Sequence, residues 1–360
     1  MGKNKDILFE KIDRCGLITL NRVKALNALS YDMIAALTPQ YVAWDQDLDI
    51  YSVVMRSSDP RGFSAGGDLR AIYDCWKRGE IDTILRLYGT EYQHNWALEK
   101  FTKPNIALID GVVMGGGVGI CLYGTHRVVG ANLKLAMPEV GIGFFPDVGA
   151  SYFLPRMPGQ CGMYLALTGR AIGQADALYL GCATHCIGAD KFDAITQALC
   201  EAQTVDELLN PMHEDPGESE LQQIQPMLDR IFSADSLEAI VEGLRSETGE
   251  MADWCRACAD EIAKKSPISL KVAFRQVREG AQMDLEQALR LDYRIARRFM
   301  TQDQLFEGIR AAIIDKDQTP HWAPEAIEDV SAEMVDAYFA PLEDGELDLT
   351  DPFGTRIGPG

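Results

Sequence analysis

Ile106-Ala107-Leu108-Ile109-Asp110-Gly111-Val112-Val113-Met114-Gly115-Gly116-Gly117-Val118-Gly119 passes from an apolar run into a loop rich in glycine. The run has the length of a buried strand, and the loop leads into a stretch that reads as helix. A second loop of the same kind, Phe63-Ser64-Ala65-Gly66-Gly67-Asp68, also lies between a strand and a helix. Loops so placed expose backbone N–H groups at a helix start, where partial positive charge favours an anion. Two of them facing one point form an oxyanion hole, and glycine leaves no side chain between the donors and a carbonyl oxygen. Taken singly, either loop serves simple close packing equally well. Neither is a nucleotide loop, because the Gly-x-Gly-x-x-Gly spacing fails and no Gly-Lys-Ser/Thr is present, so nucleotide hydrolysis is disfavoured.

Working outward, residues 17–20, 51–55, 106–109 and 127–129 read as strands, and 31–44 and 81–98 as helices with apolar residues at helical intervals. Such alternation implies an α/β core. A polar stretch at 210–220, with Pro211, Pro216 and Gly217, precedes a helix-rich part. There Asp235 with Glu238 resembles a capping box, and Ser266-Pro267 puts a capping hydroxyl before a proline at the first helical position. The expected organisation is a core over 1–205, a linker-like segment over 206–230, a helical region over 231–340 and an acidic tail over 341–360. No internal repeat indicates a solenoid.

With 360 residues and 47% hydrophobic content, the chain can bury one large core or two modest ones. A formal charge of −20 disfavours nucleic acid, which needs clustered Lys and Arg. From residue 325 onward ten acidic residues stand against one arginine, which reads as a solvated tail. An anionic ligand must then meet a local basic patch, for which Arg22 with Lys24 is a candidate. Residues 106–124 have the length of a membrane span, but Asp110 and the repeated glycines favour a turn and a packed helix, so no membrane is expected. The first ten residues mix Lys3, Lys5, Asp6 and Glu10 without an apolar stretch, unlike a signal or transit peptide, and Met1-Gly2 is followed by Asp6 where lipidation wants Ser or Thr. A cytoplasmic location is therefore expected. Nine scattered cysteines fit a reducing compartment. Cys182, His185, Cys186, Cys255 and Cys258 could surround zinc, but cysteine is also a common core filler and 255 and 258 lie on a helical stretch, so no metal is expected.

Ser64-Ala65-Gly66-Gly67-Asp68 and Met114-Gly115-Gly116-Gly117-Val118-Gly119, preceded by Asn21-Arg22-Val23-Lys24-Ala25-Leu26-Asn27-Ala28-Leu29, together resemble the enoyl-CoA hydratase/isomerase (crotonase) superfamily. Ala136-Met137-Pro138-Glu139-Val140-Gly141-Ile142-Gly143-Phe144-Phe145-Pro146-Asp147-Val148-Gly149, Tyr152-Phe153-Leu154-Pro155-Arg156, Leu167-Thr168-Gly169 and Ser266-Pro267-Ile268-Ser269-Leu270-Lys271 are similar to its 3-hydroxyisobutyryl-CoA hydrolase branch. So are Glu307-Gly308-Ile309-Arg310-Ala311 and Ile314-Asp315-Lys316-Asp317, and the resemblance runs from about residue 12 to 322, weakening around 200–230. It implies an α/β fold, a spiral of β-β-α turns with an α-helical carboxy-terminal region. It also implies a thioester carbonyl held by the N–H groups of Gly67 and Gly116, with Lys24, Ala25, Ala65, Gly66, Asp68 and Leu69 along the coenzyme A path. Coenzyme A is then part of the substrate, with no separate cofactor. Members are often trimers or dimers of trimers, although a helical extension can cover that surface within one chain.

Hydratases of this superfamily hold water between two glutamates. Here the second is Glu139 while the first position is Gly119, so paired-carboxylate hydration lacks a partner. Asp147 stands instead in a Phe-Pro-Asp turn where hydratases have glycine. The resemblance implies that Glu139 attacks the thioester carbonyl or activates water, that Asp147 positions the substrate hydroxyl or the water, and that Glu91 lines the acyl pocket beside Gly116. The plain readings are a surface carboxylate for Glu139, a turn-former for Asp147, a solvated helix charge for Glu91 and a packing or surface residue for His94. The expected reaction is hydrolysis of 3-hydroxyisobutyryl-CoA, or of 3-hydroxypropionyl-CoA, in valine degradation. The alternatives are a hydratase or isomerase that uses Asp147, and a non-catalytic acyl-CoA-binding protein.

Overall fold

In the computed structural model, which describes residues 5–343 and 345–354, nine strands follow one another: β1 (Ile7–Ile12), β2 (Cys15–Leu20), β3 (Ser52–Ser57), β4 (Gly62–Ser64), β5 (Asn105–Ile109), β6 (Val112–Met114), β7 (His126–Val129), β8 (Lys134–Ala136) and β9 (His185–Cys186). The opening Met1-Gly2 and residues 355–360 of the acidic stretch lie outside the described residues. β1 and β2 form an antiparallel hairpin, and β3, β5, β7 and β9 add to β2 in parallel, giving a six-stranded sheet in the order β1-β2-β3-β5-β7-β9. β4, β6 and β8 form a second, three-stranded parallel sheet. From β3 onward consecutive strands thus alternate between the two sheets, and helices close the turns: α1 (Tyr31–Gln46) before β3, α2 (Leu69–Lys77) and α3 (Ile81–Lys100) after β4, and α4 (Gly116–Leu122) after β6. This is the expected spiral of β-β-α turns, and the expected strands and helices fall on β2, β3, β5, β7, α1 and α3.

The central strands are apolar on both faces, as parallel strands covered on both sides must be. Leu17, Val54, Ile106, Leu108 and Val128 face Ile195, Leu199, Val205 and Leu209 of the short helices Phe192–Cys200 and Val205–Leu209. Their alternates Ile18, Val53, Met55, Ala107, Ile109 and Val129 face α1, α3 and the main core. The stretch 106–124 is divided among β5, β6 and α4, and among the described residues no helix is long and apolar enough to cross a membrane.

Beyond residue 212 the chain is helical: Glu220–Phe232, Leu237–Ser246, Ala252–Ile262, Pro267–Gly280 and Leu285–Met300. The first of these occupies the end of the stretch that reads as linker-like. Ser266 caps Pro267–Gly280 as expected, accepting from the Ser269 N–H. The other cap falls one residue later than expected. Ser236, not Asp235, accepts from the Ala239 N–H, and Glu238 instead pairs with Lys271. Both residue types cap well, so sequence alone leaves their order open.

Leu285–Met300 packs along α3, and its apolar face joins the same continuous core as the spiral. Cys255 and Cys258 fill that core, and among the described residues no cluster of His, Cys, Asp and Glu is arranged to hold a metal. The expectation of a solvated acidic tail is corrected. Val335, Tyr338 and Phe339 form a buried stripe on the helix Ala332–Phe339, Leu342, Leu347 and Leu349 are buried, and Glu346 pairs with Arg294 at 2.8 Å. The apolar residues spaced between the acids, not the charge count, decide the docking of this segment.

Candidate active site

The first motif and the first glycine loop are built as one unit. Asn27 donates its side-chain N–H to the Phe63 carbonyl at 3.0 Å, and Ser64 donates its hydroxyl to the Asn27 carbonyl at 2.9 Å. The Leu29 N–H reaches the Gly66 carbonyl at 2.7 Å. Gly66 has φ +88°, and a methyl there would stand 2.8 Å from the Met114 carbonyl oxygen and 3.5 Å from the Gly116 nitrogen, so only glycine lets the two loops approach this closely. The Gly116 N–H is the first of α4 and has no carbonyl within its helix to reach. Among the described residues no backbone carbonyl accepts from either Gly67 or Gly116. Both glycines line one cavity of about 190 Å³.

Three carboxyls enter the same cavity: Glu91 from α3, Glu139 from the turn Glu139–Ile142 that follows β8, and Asp147. They are 2%, 6% and 4% exposed. The side chain of Glu139 lies against Gly115 and that of Glu91 against Gly116, in the space that side chains at those glycines would fill. Glu91 Oε1 and Glu139 Oε2 have no hydrogen-bond partner, while Asp147 Oδ2 accepts the Tyr92 hydroxyl at 2.7 Å. No cation contributes to the charge state of any of the three. Burial, and then the neighbouring Asp147, push Glu91 well above the ordinary carboxylate range. Burial, Asp147 and Glu91 act in the same direction on Glu139. Burial carries Asp147 up to about 7 against the opposing Tyr92 hydrogen bond. Three such groups cannot all ionise together, so the site holds protons at neutral pH and titrates as a unit.

Of the residues singled out from sequence, Ala65, Gly66, Gly67, Leu69, Glu91, Gly116, Glu139 and Asp147 meet at this cavity. Lys24, Ala25 and Asp68 do not line it. Lys24 is exposed on the turn Val23–Ala25, beside the loop, and Asp68 caps α2 through the Ala71 N–H while pairing with Arg22 at 2.6 Å. Arg22 is therefore already neutralised, which leaves Lys24 as the exposed cation of the first motif. His94 is a packing residue: it is fully buried, its Nδ1 lies 3.0 Å from the Thr38 hydroxyl, and burial lowers its pKa to about 3. Sequence reasoning missed Tyr88 and Tyr92. With Glu91 and Asn95 they occupy i, i+3, i+4 and i+7 on α3, so a helical-face reading of 88–95 shows them as one stripe.

Gly119 is closed to any side chain. A methyl there would lie 2.8 Å from Val148 Cβ and 3.0 Å from Asn95 Nδ2. The position at which a second glutamate would complete a hydratase pair is thus occupied by neighbouring atoms.

The pattern of the family described as enoyl-CoA hydratase/isomerase matches residues 15–339. A protein of Danio rerio named 3-hydroxyisobutyryl-CoA hydrolase, mitochondrial, is 40% identical over 354 residues, covering 96% of this chain and 92% of the relative. A Gallus gallus protein of the same name is 41% identical, covering 96% and 91%. Among solved structures, a carnitinyl-CoA dehydratase from Mycobacterium thermoresistibile superposes with a TM-score of 0.91 at 38% identity, covering 96% of this chain and 99% of that one. An enoyl-CoA hydratase from Rhodobacter sphaeroides 2.4.1 gives a TM-score of 0.89 at 33% identity, covering 95% and 99%. The cytoplasmic expectation is overturned by the relatives, since the Danio rerio, Gallus gallus and Mus musculus proteins are each named mitochondrial. Residues 7–12 form β1, so their composition answers to the sheet and carries no information about compartment. By the match over 15–339 and by identity over nearly its whole length, the chain belongs to the enoyl-CoA hydratase/isomerase family.

Proposed function

We propose that this chain hydrolyses the thioester of 3-hydroxyisobutyryl-CoA, and of the smaller 3-hydroxypropionyl-CoA, to the free hydroxy acid and coenzyme A, as a step of valine degradation. The observation that carries the reading is the pairing of two unengaged N–H groups with three cation-free acids in one cavity while Gly119 has no room for a hydratase's second glutamate. The relatives' names support the same chemistry.

In this mechanism the thioester oxygen accepts from Gly67 and Gly116, and ionised Glu139 attacks the carbonyl carbon. The new C–O bond forms, the C–S bond breaks, and the departing thiolate takes a proton held among the buried acids. Water then cleaves the mixed anhydride: its hydroxyl joins the acyl carbon as the bond to Glu139 breaks, and its proton returns to the acid that protonated the thiolate, releasing the hydroxy acid and restoring ionised Glu139. Asp147, held by Tyr92, accepts from the substrate hydroxyl or orients the water, and Glu91 contacts the hydroxyl. Two steps of moderate barrier replace one difficult step. Each amide donor strengthens as charge develops on the oxygen, and losing one costs about 3 kcal/mol of barrier.

The names of the two solved structures favour a second reading, hydration or dehydration of an enoyl thioester. Thiol release from 3-hydroxyisobutyryl-CoA, followed beside water addition to crotonyl-CoA, separates the two. The proposal expects rapid thiol release and no comparable hydration. Rapid hydration without thiol release rejects it, and tight binding with neither reaction leaves a binding protein.

A further inference from the structure

Asp147 sits on a backbone bent against its preference. Val148, the next residue, has φ +50°, a left-handed conformation that a β-branched residue rarely adopts, and Gly149 follows at +86°. Such a conformation persists only where the surroundings over-determine it. Three contacts do so. Tyr123 donates its hydroxyl to the Val148 carbonyl at 2.7 Å, Gln276 Nε2 donates to the Pro146 carbonyl at 2.6 Å, and Asp292 Oδ2 accepts the Gly149 N–H at 2.7 Å.

The last two contacts are joined into one assembly. Gln276 Nε2 lies 3.2 Å from Asp292 Oδ1 and 2.9 Å from the Ser151 hydroxyl, which itself donates to Asp292. Asp292 and Gln276 are both 0% exposed and stand on the helices Leu285–Met300 and Pro267–Gly280. No cation is among the groups that set the charge state of Asp292. A carboxyl buried without a counter-ion is costly to keep, and an apolar residue would fill the space at less cost. Its donors here are the Gly149 N–H and the Ser151 hydroxyl of the turn, and Gln276. Neither Asp292 nor Gln276 lines the cavity.

We propose that Asp292 and Gln276 are positioning residues for Asp147. They grip the chain on both sides of it, at the Pro146 carbonyl and the Gly149 N–H, and so hold its carboxyl against Tyr92 and toward the substrate. The proposal rests on the reading of Asp147 as a group that touches the substrate hydroxyl or the attacking water. It gives the carboxy-terminal helices a part in the chemistry beyond covering the core.

Asp292→Asn keeps the shape but removes one acceptor, and Gln276→Met removes the donors at similar volume. In each variant kcat on 3-hydroxyisobutyryl-CoA is expected to fall by roughly 10- to 100-fold, while KM stays within about threefold, because the amide donors and the coenzyme A path lie on other loops. Crystal structures of the variants are expected to show Val148 relaxed to negative φ or the Tyr92–Asp147 hydrogen bond broken. Unchanged kcat, or a rise in KM alone, overturns the proposal, as does an unaltered 146–151 backbone in both variants. Should Asp292→Asn fail to fold, Gln276→Met carries the same test. If the wild-type protein releases no thiol, the functional reading fails, and the crystal structures still decide whether the clamp exists.

Discussion

The acids of the site are governed by what surrounds them. Each is buried with no cation to offset its charge, so ionisation of one raises the proton affinity of the others. Glu139→Gln keeps the volume and removes the proposed nucleophile. It is expected to lower thiol release by about 10²- to 10⁴-fold while calorimetry finds coenzyme A affinity nearly unchanged. The pH profile follows from the same electrostatics. In the proposed mechanism attack needs ionised Glu139, whose proton is held more tightly beside an ionised Asp147, so kcat/KM should rise with pH above the ordinary carboxylate range. Asp147→Asn removes the neighbouring negative charge, which lowers the pKa of Glu139 and moves the acid limb to lower pH even as the maximum falls. A limb that stays in place or moves upward contradicts the coupling. That Glu139, Asp147, Gly67 and Gly116 meet at one cavity was legible because their motifs carry them in order. Tyr92 was not, because its role depends on the turn of α3 that brings its hydroxyl to Asp147.

At the scale of elements, two strand–loop–helix units meet at their glycines, and the meeting leaves no spare room. Gly119→Glu, the change that would restore a hydratase's carboxylate pair on paper, must displace Val148 and Asn95. It is expected to give no hydration of crotonyl-CoA and to destabilise the fold by at least about 1–3 kcal/mol, read from denaturant unfolding. A stable variant with hydratase activity would show that the space at Gly119 is not what selects the reaction. β2, β3, β5, β7, α1 and α3 were legible because each is a run of one period, whereas β1, β4, β6, β8 and β9 were not singled out. The boundaries were less so, as the Asp235–Ser236 cap shows, where two adjacent residues of equal capping power differ only in which one the incoming chain turns toward the helix.

Across the whole molecule, the carboxy-terminal helices pack behind the site, with Phe299 against the cavity-lining Phe144, and the acidic segment docks on α3. Leu347 packs near Gly89 on α3, two residues before Glu91, and Gln93 donates to the Asp348 carbonyl at 3.0 Å. Leu347→Ala is expected to cost about 2–5 kcal/mol in unfolding free energy. This docking was not legible from charge composition, since burial there depends on three leucines spread among acids. The pH dependence of stability has a definite sign. Asp147 and Asp292, raised to about 7 and about 8, bind protons in the folded state that the unfolded chain has released, so their contribution is complete below about pH 4 and is lost as pH rises through 7 to 8. Asp147→Asn should therefore gain stability relative to wild type more at pH 8 than at pH 5, by thermal unfolding at both. The catalytic expectations depend on the two loops acting on a single oxygen, which the crystal structure of Glu139→Gln with bound 3-hydroxyisobutyryl-CoA examines most directly. The thioester oxygen is predicted to lie about 2.7–3.1 Å from both the Gly67 and Gly116 nitrogens, with residue 139 facing the carbonyl carbon. A thioester bound with its oxygen away from either nitrogen, or with its carbonyl carbon turned from residue 139, would contradict the account.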